Sequence, residues 1–426
     1  MIDIKLIRDD PELFKQAAKA KNVDVDISAL LGLDKQLMDA RRQLQQVRTD
    51  QNTAGKEIAK LQGDAKQQAV AEIAKLKSLA KQLGDRIDEL SPTFDKLMLL
   101  VPQPPATDVP VGRDEADNVE LRREGEIRNF DFEPRDHVRL GELLGIIDIP
   151  RGVKLAGARN FTLRGAGSML HRAVLRLAMD RMIANGYEPL TVPVLVNESV
   201  MVGTGFFPTG RDDAYLCERD DMSLVGTSEV PLTAYHADEI LQESDLPKKY
   251  VALSTCFRRE AGSAGRDTHG LYRIHYFDKV EQVVLCRNDE QASVEHHREI
   301  LKNAEDVLRE LELPYRVVNC CSGELGIGNV QRFDIETWMP SRNGYGETHS
   351  ASRYYEFQAR RLNIRYRDAA GKLHFVHTLN NTVIASPRIL IAMLELYQNA
   401  DGSVTVPKAL RPYMDGMKKI EPKRQG

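Results

Sequence analysis

Cysteine is scarce in this 426-residue chain, which has five, at positions 217, 256, 286, 320 and 321. The set is odd in number and lacks the paired spacing of a zinc site. These features argue against a disulfide framework and against a cysteine-ligated zinc module. They are typical of reduced thiols and predict a cytoplasmic enzyme.

Long apolar runs are also missing. No run approaches the roughly 18 residues that a membrane span requires, and the segment Met1–Asp10 lacks the apolar core of a signal peptide. We therefore expect no membrane association. The charge is nearly balanced at −4, so any contact with nucleic acid must use a local patch.

A heptad pattern dominates the first hundred residues, after a short helical lead over 1–27 capped by Asp9 or Asp10. It breaks at Gln62–Asp64 and resumes to Leu97. Two runs around one turn predict an antiparallel coiled-coil hairpin with arms of about 45–50 Å. The first run's a and d positions are Leu30, Leu33, Leu37, Ala40, Leu44, Val47, Gln51, Ala54, Ile58 and Leu61, and the second run carries Ile73, Leu76, Ala80, Leu83, Ile87, Leu90, Phe94 and Leu97.

The charged outer faces of this hairpin fit either a solvated surface or a binding surface. Dimerisation through the heptads is an alternative, although the turn at Gly63-Asp64 favours self-pairing. The proline-rich segment Val101–Pro110 then predicts a domain boundary. We assign residues 1–105 to an N-terminal domain with its arm at about 28–98, and residues 106–426 to a second domain.

The second domain is predicted to be α+β, with a mainly antiparallel sheet flanked by helices. Its elements include a helix at Gly167–Asn185 and an edge or interface strand, Tyr187–Val196, that carries Pro193. Further expected elements are the strands Tyr250–Glu260, Leu271–Leu285, Tyr315–Asn319, Gln331–Met339 and Arg353–Arg360, a helix at Gln291–Leu313, a hairpin around Ala369–Gly371, and a final helix from Arg388.

The strands Tyr250–Glu260 and Leu271–Leu285 flank a basic loop with Gly262, Gly265 and Gly270. Strand period two puts Cys256, Arg258 and Glu260 on one face of the first strand, and Arg273, Phe277 and Glu281 on one face of the second. Arginine suits phosphate and phenylalanine suits a purine, so this hairpin fits a nucleotide site. Taken alone it fits a charged surface hairpin equally well.

Five elements together resemble the seryl-tRNA synthetase family of class II aminoacyl-tRNA synthetases, over nearly the whole chain. They are the helix and strand with Pro193, the hairpin above, Ser386-Pro387-Arg388 before an apolar helix, Thr227–Leu232, and Glu347–Ser350. The resemblance implies activation of L-serine with ATP to seryl-adenylate and pyrophosphate. It also implies transfer of serine to the 3′ end of serine tRNA, and to selenocysteine tRNA, by a homodimer whose arm holds the long variable arm of the tRNA.

The resemblance also implies residue roles. Arg258 would bridge the α-phosphate and the serine carboxylate, Arg388 would hold the γ-phosphate, and Phe277 would stack on adenine. Glu347 and Ser350 would coordinate Mg2+, and Arg258, Arg388 and Glu347 would be catalytic. The full ATP set is Arg258, Arg259, Glu260, Ile274, Phe277, Glu347, Thr348, His349, Ser350 and Arg388, and the serine set is Thr227, Ser228, Glu229, Glu281 and Thr382.

The sequence departs from the commonest family pattern at Thr348-His349 and at Arg353. His349 is expected to pack rather than act as a base, and Arg259 to point to the opposite strand face. The glycine loop is expected to be a lid that meets the tRNA acceptor end. Two rival functions are the loading of a small amino acid onto a carrier protein, whose enzymes lack the arm, and a non-catalytic tRNA-binding paralogue, which would lose the key charged residues.

Overall fold

The computed structural model describes residues 1–58, 60–261 and 269–423. The chain divides into two compact units, Met1–Pro104 and Pro105–Gly426. The central part of the glycine loop, residues 262–268, lies outside the described residues, and so does the lid expected there.

The first unit consists of helices, namely α1 (Ile4–Asp9), α2 (Pro11–Ala20), α3 (Ile27–Ile58) and α4 (Gly63–Leu100). Of the two expected caps for the lead helix, Asp10 is the one that begins α2. Its carboxylate accepts a hydrogen bond from the Leu13 backbone N–H at 3.1 Å, and Pro11 occupies the first turn.

Helices α3 and α4 pack along the heptad seam. Leu30, Leu37, Ala40, Val47 and Leu90 are buried, and the remaining heptad positions are partly buried. A hydrogen bond of 2.9 Å from Arg86 to Gln36 joins residues far apart in sequence, as an antiparallel pair requires. The expected break at Gln62–Asp64 lies slightly too late, because α4 already begins at Gly63.

The second unit is built around an eight-stranded sheet with the order β1-β11-β12-β13-β16-β10-β9-β4. All of its neighbours are antiparallel except β4 and β9. The strands of this unit are β1 (Val119–Glu124), β2 (Ile147–Asp148), β3 (Thr162–Leu163), β4 (Glu188–Pro189), β5 (Leu195–Asn197), β6 (Tyr215–Cys217), β7 (Met222–Leu224), β8 (Ile240–Gln242), β9 (Lys248–Phe257), β10 (Tyr276–Cys286), β11 (Tyr315–Asn319), β12 (Gln331–Met339), β13 (Gly344–Arg353), β14 (Arg365–Arg367), β15 (Leu373–Phe375), β16 (His377–Ser386), β17 (Val404–Thr405) and β18 (Lys419–Ile420).

The helices α7 (Ala166–Ala184), α10 (Glu290–Glu310) and α12 (Arg388–Leu396) pack against this sheet and supply much of the main apolar core. The predicted α+β fold with a helical hairpin is thus confirmed. The helices of this unit are α5 (His137–Leu144), α6 (Ile149–Ala156), α7 (Ala166–Ala184), α8 (Glu198–Thr204), α9 (Glu229–Thr233), α10 (Glu290–Glu310), α11 (Phe357–Leu362) and α12 (Arg388–Leu396).

Two predicted strands are wrong. The segment Tyr187–Val196 is not one strand, because β4 and β5 belong to different sheets and Pro193 lies in neither. Prolines cannot donate to a ladder, so the chain leaves the main sheet after Pro189. The predicted strand Arg353–Arg360 ends at its first residue, because the backbone turns at Tyr355 with a φ of 49° and the helix α11 begins at Phe357.

The central hairpin is shorter than its sequence pattern indicates. Strand β9 ends at Phe257 and β10 begins at Tyr276, so Arg258, Glu260 and Arg273 lie beyond the ladder. The backbone of Glu260 adopts a φ of 55°, which is left-handed. Strand period two therefore cannot assign faces to these three residues, and their placement has to be taken from the structure.

Candidate active site

A cavity of about 430 Å³ opens where β10, β13 and β16 present side chains on one face of the main sheet. The first turn of α12, the start of α9 and the segment that leads into β12 add further residues to its wall. Of the residues expected from the sequence, those lining it are Thr227, Glu229, Arg258, Glu260, Ile274, Phe277, Glu281, Glu347, Ser350, Thr382 and Arg388.

One end of the cavity is closed around the carboxylate of Glu281, which is fully buried. The Lys279 ammonium lies 2.5 Å from one of its oxygens. The Thr382 hydroxyl donates to that same oxygen at 3.3 Å. The Asn380 amide donates to the other oxygen at 2.8 Å. A buried carboxylate with this many partners is charge-balanced and held in a fixed orientation.

Glu229 lies beside Glu281, joined to it through Asn380, whose amide also donates to Glu229 at 3.1 Å. The Gln358 amide donates at 2.9 Å, and Tyr354 supplies a further hydrogen bond. Burial and the neighbouring charge of Glu281 raise the pKa of Glu229 to about 7. Glu229 therefore has neutral hydrogen-bond partners, whereas Glu281 has a cation in contact.

The other end of the cavity carries arginines. The Arg258 guanidinium lies 5.2 Å from the centre of the Phe277 ring, and its Nε donates to the Gly226 carbonyl at 3.4 Å. The guanidinium of Arg388, the first residue of α12, donates to the Glu347 carbonyl at 2.8 Å. This end combines fixed cations with an aromatic ring, an arrangement that suits an anionic group attached to a flat heterocycle.

Glu347 and Ser350 both face the cavity although they are three residues apart on β13, which is incompatible with a regular strand. The pairing of β12 with β13 shifts register between Ile335 and Glu336, and this bulge brings both side chains to one face. Desolvation at the cavity wall opposes ionisation of Glu347. The arginines Arg388, Arg332 and Arg258 nevertheless lower its pKa.

Four expected site residues lie outside the cavity wall. The same bulge turns Thr348 and His349 into the protein, where the two side chains bond to each other at 2.8 Å and His349 also bonds to the Val383 carbonyl at 3.0 Å. Burial lowers the pKa of His349 to about 4. The Ser228 side chain is buried, and the Arg259 backbone N–H donates to the Asp213 carbonyl.

Eight polar residues of the cavity wall lie outside the sets predicted from the sequence, among them Lys279, Asn380, Tyr354 and Arg332. Lys279 could have been predicted from strand alternation, because it lies midway between Phe277 and Glu281 in the sequence and so shares their strand face. Asn380 likewise stands two residues before Thr382. No local signal points to Tyr354 or Arg332, which reach the cavity from the turn after β13 and from β12.

The cavity thus pairs a closed, acidic end with an open, basic end that holds an aromatic ring. Residues 215–397 match a family described as the tRNA synthetase class II core domain (G, H, P, S and T). The antiparallel sheet and the cavity on its face therefore define a class II aminoacyl-tRNA synthetase.

The N-terminal residues 1–105 match the seryl-tRNA synthetase N-terminal domain. A protein of Deinococcus radiodurans named serine–tRNA ligase is 44% identical over 98% of this chain and 98% of its own length. The chain belongs to the seryl-tRNA synthetase family and is an enzyme of the serine–tRNA ligase class.

Two solved structures are similar over the full chain. A seryl-tRNA synthetase from Pyrococcus horikoshii, complexed with ATP, has a TM-score of 0.93 and 37% identity, with 100% of both chains covered. A cytoplasmic serine–tRNA ligase from Naegleria fowleri, in complex with AMP, has a TM-score of 0.88 and 29% identity, with 100% of this chain and 99% of that one covered.

None of the helices among the described residues is long and apolar enough to cross a membrane. The five cysteines are free thiols, and Cys320 and Cys321 are fully buried.

Proposed function

We propose that this chain activates L-serine with ATP, forming seryl-adenylate and pyrophosphate, and then transfers the seryl group to the 3′ end of serine tRNA. One observation carries the proposal. A single cavity joins a closed end built from two carboxylates to an open end built from two arginines and a phenylalanine ring. The first end suits a small amino acid with an ammonium and a hydroxyl, and the second suits a nucleotide.

At the closed end we assign the serine ammonium to Glu229 and the serine hydroxyl to Glu281 and Thr382. Lys279 already balances the charge of Glu281, whereas Glu229 has only neutral partners, so an arriving ammonium would supply its counter-charge. A site that hydrogen-bonds a hydroxyl rejects an analogue without one by about 10⁴-fold, because its buried groups are left unpaired. Alanine would be excluded in this way, and threonine by lack of room.

At the open end Phe277 would stack on adenine, while Glu260 and the backbone at Ile274 would contact its edge. A serine carboxylate oxygen attacks the α-phosphorus, and the bond from that phosphorus to the pyrophosphate oxygen breaks. Arg258 would bind the α-phosphate and the attacking carboxylate, and Arg388 the γ-phosphate. Because the attacking group comes from serine itself, positioning and charge neutralisation carry the catalysis.

Mg2+ is part of the proposal, and the donor set fits it. Glu347 and Ser350 offer a carboxylate and a hydroxyl on one face of β13, and such oxygens are the ligands that hard cations prefer. Among the described residues no group of three acidic, histidine or cysteine side chains is placed to hold a metal ion, so phosphate oxygens of ATP would complete the shell. When bound, the ion would neutralise charge on the pyrophosphate.

We propose that the α3–α4 hairpin holds the long variable arm of serine tRNA, and of selenocysteine tRNA, through phosphate and shape. Between Leu37 and Leu90 the buried residues that the structure describes all lie on the seam, which leaves the outer faces exposed for this contact. Deleting residues 30–97 should leave serine-dependent pyrophosphate exchange within about threefold of the intact chain and reduce tRNA charging by at least about 100-fold. Normal charging by the truncated chain would give the hairpin another role.

We further propose a homodimer. The strand β4 is an edge of the main sheet, and an apolar groove of about 640 Å³ runs beside α7, with Ile183, Leu253 and Tyr276 in its wall. These side chains are more than a third exposed in the single chain, and a second copy would cover them. Sedimentation equilibrium should give twice the chain mass, and replacing Leu253 by Glu should give a monomer.

The decisive experiment is ATP–pyrophosphate exchange measured across the twenty amino acids, followed by transfer assays with tRNA and with a carrier protein. We expect exchange with serine and transfer to serine tRNA. Exchange with glycine or alanine and transfer to a carrier protein would favour the carrier-loading alternative. Absence of exchange with every amino acid would favour a non-catalytic tRNA-binding protein.

A further inference from the structure

The sequence Pro134-Arg135-Asp136-His137 has no part in the cavity wall, yet it ends in a buried histidine with three polar contacts. His137 is the first residue of α5. Its Nδ1 lies 2.8 Å from the Glu395 carboxylate, and its backbone N–H donates to the same oxygen at 3.0 Å. Its Nε2 accepts the Leu271 backbone N–H at 3.1 Å. An imidazole that accepts at Nε2 carries its proton on Nδ1, so this network assigns a neutral ring that donates to Glu395.

Glu395 is fully buried in α12, seven residues after Arg388. Its second oxygen accepts the backbone N–H of Ser341, in the turn between β12 and β13, at 2.8 Å. One carboxylate therefore connects α12 directly to α5 and to this turn. Through His137 it also connects α12 to the end of the glycine loop at Leu271.

The connected segments meet at Tyr272, the residue after Leu271. The guanidinium of Arg388 lies 4.4 Å from the centre of the Tyr272 ring, and that of Arg342, which follows Ser341, lies 4.3 Å from it. The Arg388 Nε also donates to the Tyr272 carbonyl at 3.2 Å. Each segment that contributes to this cation–aromatic stack is thus tied to Glu395.

The contact between His137 and the loop end is close. Gly270 has a φ of 63°, and a Cβ at this position would stand 2.0 Å from the His137 Nε2. A ring so near the backbone, hydrogen-bonded through both nitrogens, fixes the position of Leu271 and Tyr272 in the segment before β10. The Arg388 guanidinium rests on those residues, so its position depends on the same bonds.

We propose that His137 and Glu395 form a positioning pair that holds the Arg388 guanidinium in place to bind the γ-phosphate of ATP. This inference rests on the role proposed above for Arg388. The pair touches neither the cavity nor a substrate. The pair acts through Leu271 and Tyr272. Its loss should weaken the binding of ATP and leave the binding of serine unchanged, because the serine end of the cavity lies on other elements.

The test uses the full-length chain with His137→Gln, which keeps polar groups but cannot reach both partners. We expect the KM for ATP in pyrophosphate exchange to rise about tenfold, the effect of about one lost hydrogen bond, and the KM for serine to stay within twofold. His236→Gln is the matched control, because His236 also bridges two groups, Tyr250 and Glu239, and lies outside the cavity wall. Its melting temperature should fall while both KM values stay unchanged.

A double-mutant cycle with Arg388→Lys separates positioning from a general loss of stability. If His137 acts through Arg388, His137→Gln should raise the KM for ATP by less than twofold when Arg388→Lys is already present. Additive effects, or a rise in the KM for serine equal to that for ATP, would overturn the proposal. An Arg388→Lys variant with an unchanged KM for ATP would refute the role of Arg388 itself, and the positioning role with it. If the KM for ATP is normal in His137→Gln but raised in Arg388→Lys, the positioning role alone would be refuted.

Discussion

The two ends of the cavity are built on opposite principles. At the closed end Glu281 and Glu229 are buried, and their oxygens are bonded to Lys279, Asn380 and Gln358. At the open end the Glu347 side chain is half exposed, and the arginines rest on rings and carbonyls. The carboxylate oxygens of the closed end are held by protein partners before any ligand arrives, which fixes the shape of a site for a small substrate. The open end presents the guanidinium groups of Arg258 and Arg388 to the cavity, where a polyphosphate would meet them.

Replacing Glu281 by Ala is the strongest challenge to this comparison. We expect serine-dependent pyrophosphate exchange to fall by at least about 10³-fold, because the serine hydroxyl loses its acceptor and Lys279 is left buried without a counter-charge. Stopped-flow titration should still detect ATP binding. Glu336→Ala is a matched control, since Glu336 is a strand carboxylate paired with Arg316 outside the cavity. Exchange at the wild-type rate in the Glu281 variant would remove this residue from the serine site.

Replacing Arg258 by Lys tests the open end. The planar fork of arginine can contact a phosphate and a carboxylate together while it stacks on Phe277, and a lysine cannot. We expect kcat for exchange to fall by about 100-fold. The matched change Arg316→Lys, at an arginine that also stacks on a ring, should leave kcat unchanged. If the Arg258 variant instead changed only the KM for serine, the assignment of the two ends would be wrong.

The pH dependence of serine binding should be the smallest of these effects. The pKa of Glu229 is raised to about 7, so the native state holds an extra proton between the ordinary carboxyl pKa and 7, and stability falls as the pH rises through that window. An ammonium needs the ionised form. The KM for serine should therefore fall up to about tenfold between about pH 6 and pH 8, and the dependence should be lost in Glu229→Gln.

The part of the fold that rests on periodicity was predictable. The seam of α3 and α4 follows from the heptads, and β11 and β12 have the predicted bounds. Bulges were not predictable, because a register shift depends on the partner strand. Period two would put Glu347 and Ser350 on opposite faces of β13, and only the shift beside Ile335 brings them together.

Resemblance to a family placed the cavity residues more accurately than strand geometry did. Arg258 and Glu260 line the cavity, but they do so from a turn beyond β9, where the face argument fails. Lys279 and Asn380 show the reverse case, because strand alternation pointed to both and they were overlooked. The contacts of His137 join residues more than 130 positions apart, and no local pattern carries such information.

Because the helical hairpin is held together along a narrow seam, its length can be changed by deleting paired heptads. Each arm is a stack of near-equivalent heptads, and between Leu37 and Leu90 the buried residues that the structure describes all lie on this seam. Removing one heptad from α3 and the facing heptad from α4 should shorten the hairpin by about 10 Å and leave the remaining seam in register. A series of such deletions would be a molecular ruler, which reads out how far along the arm its partner makes contact.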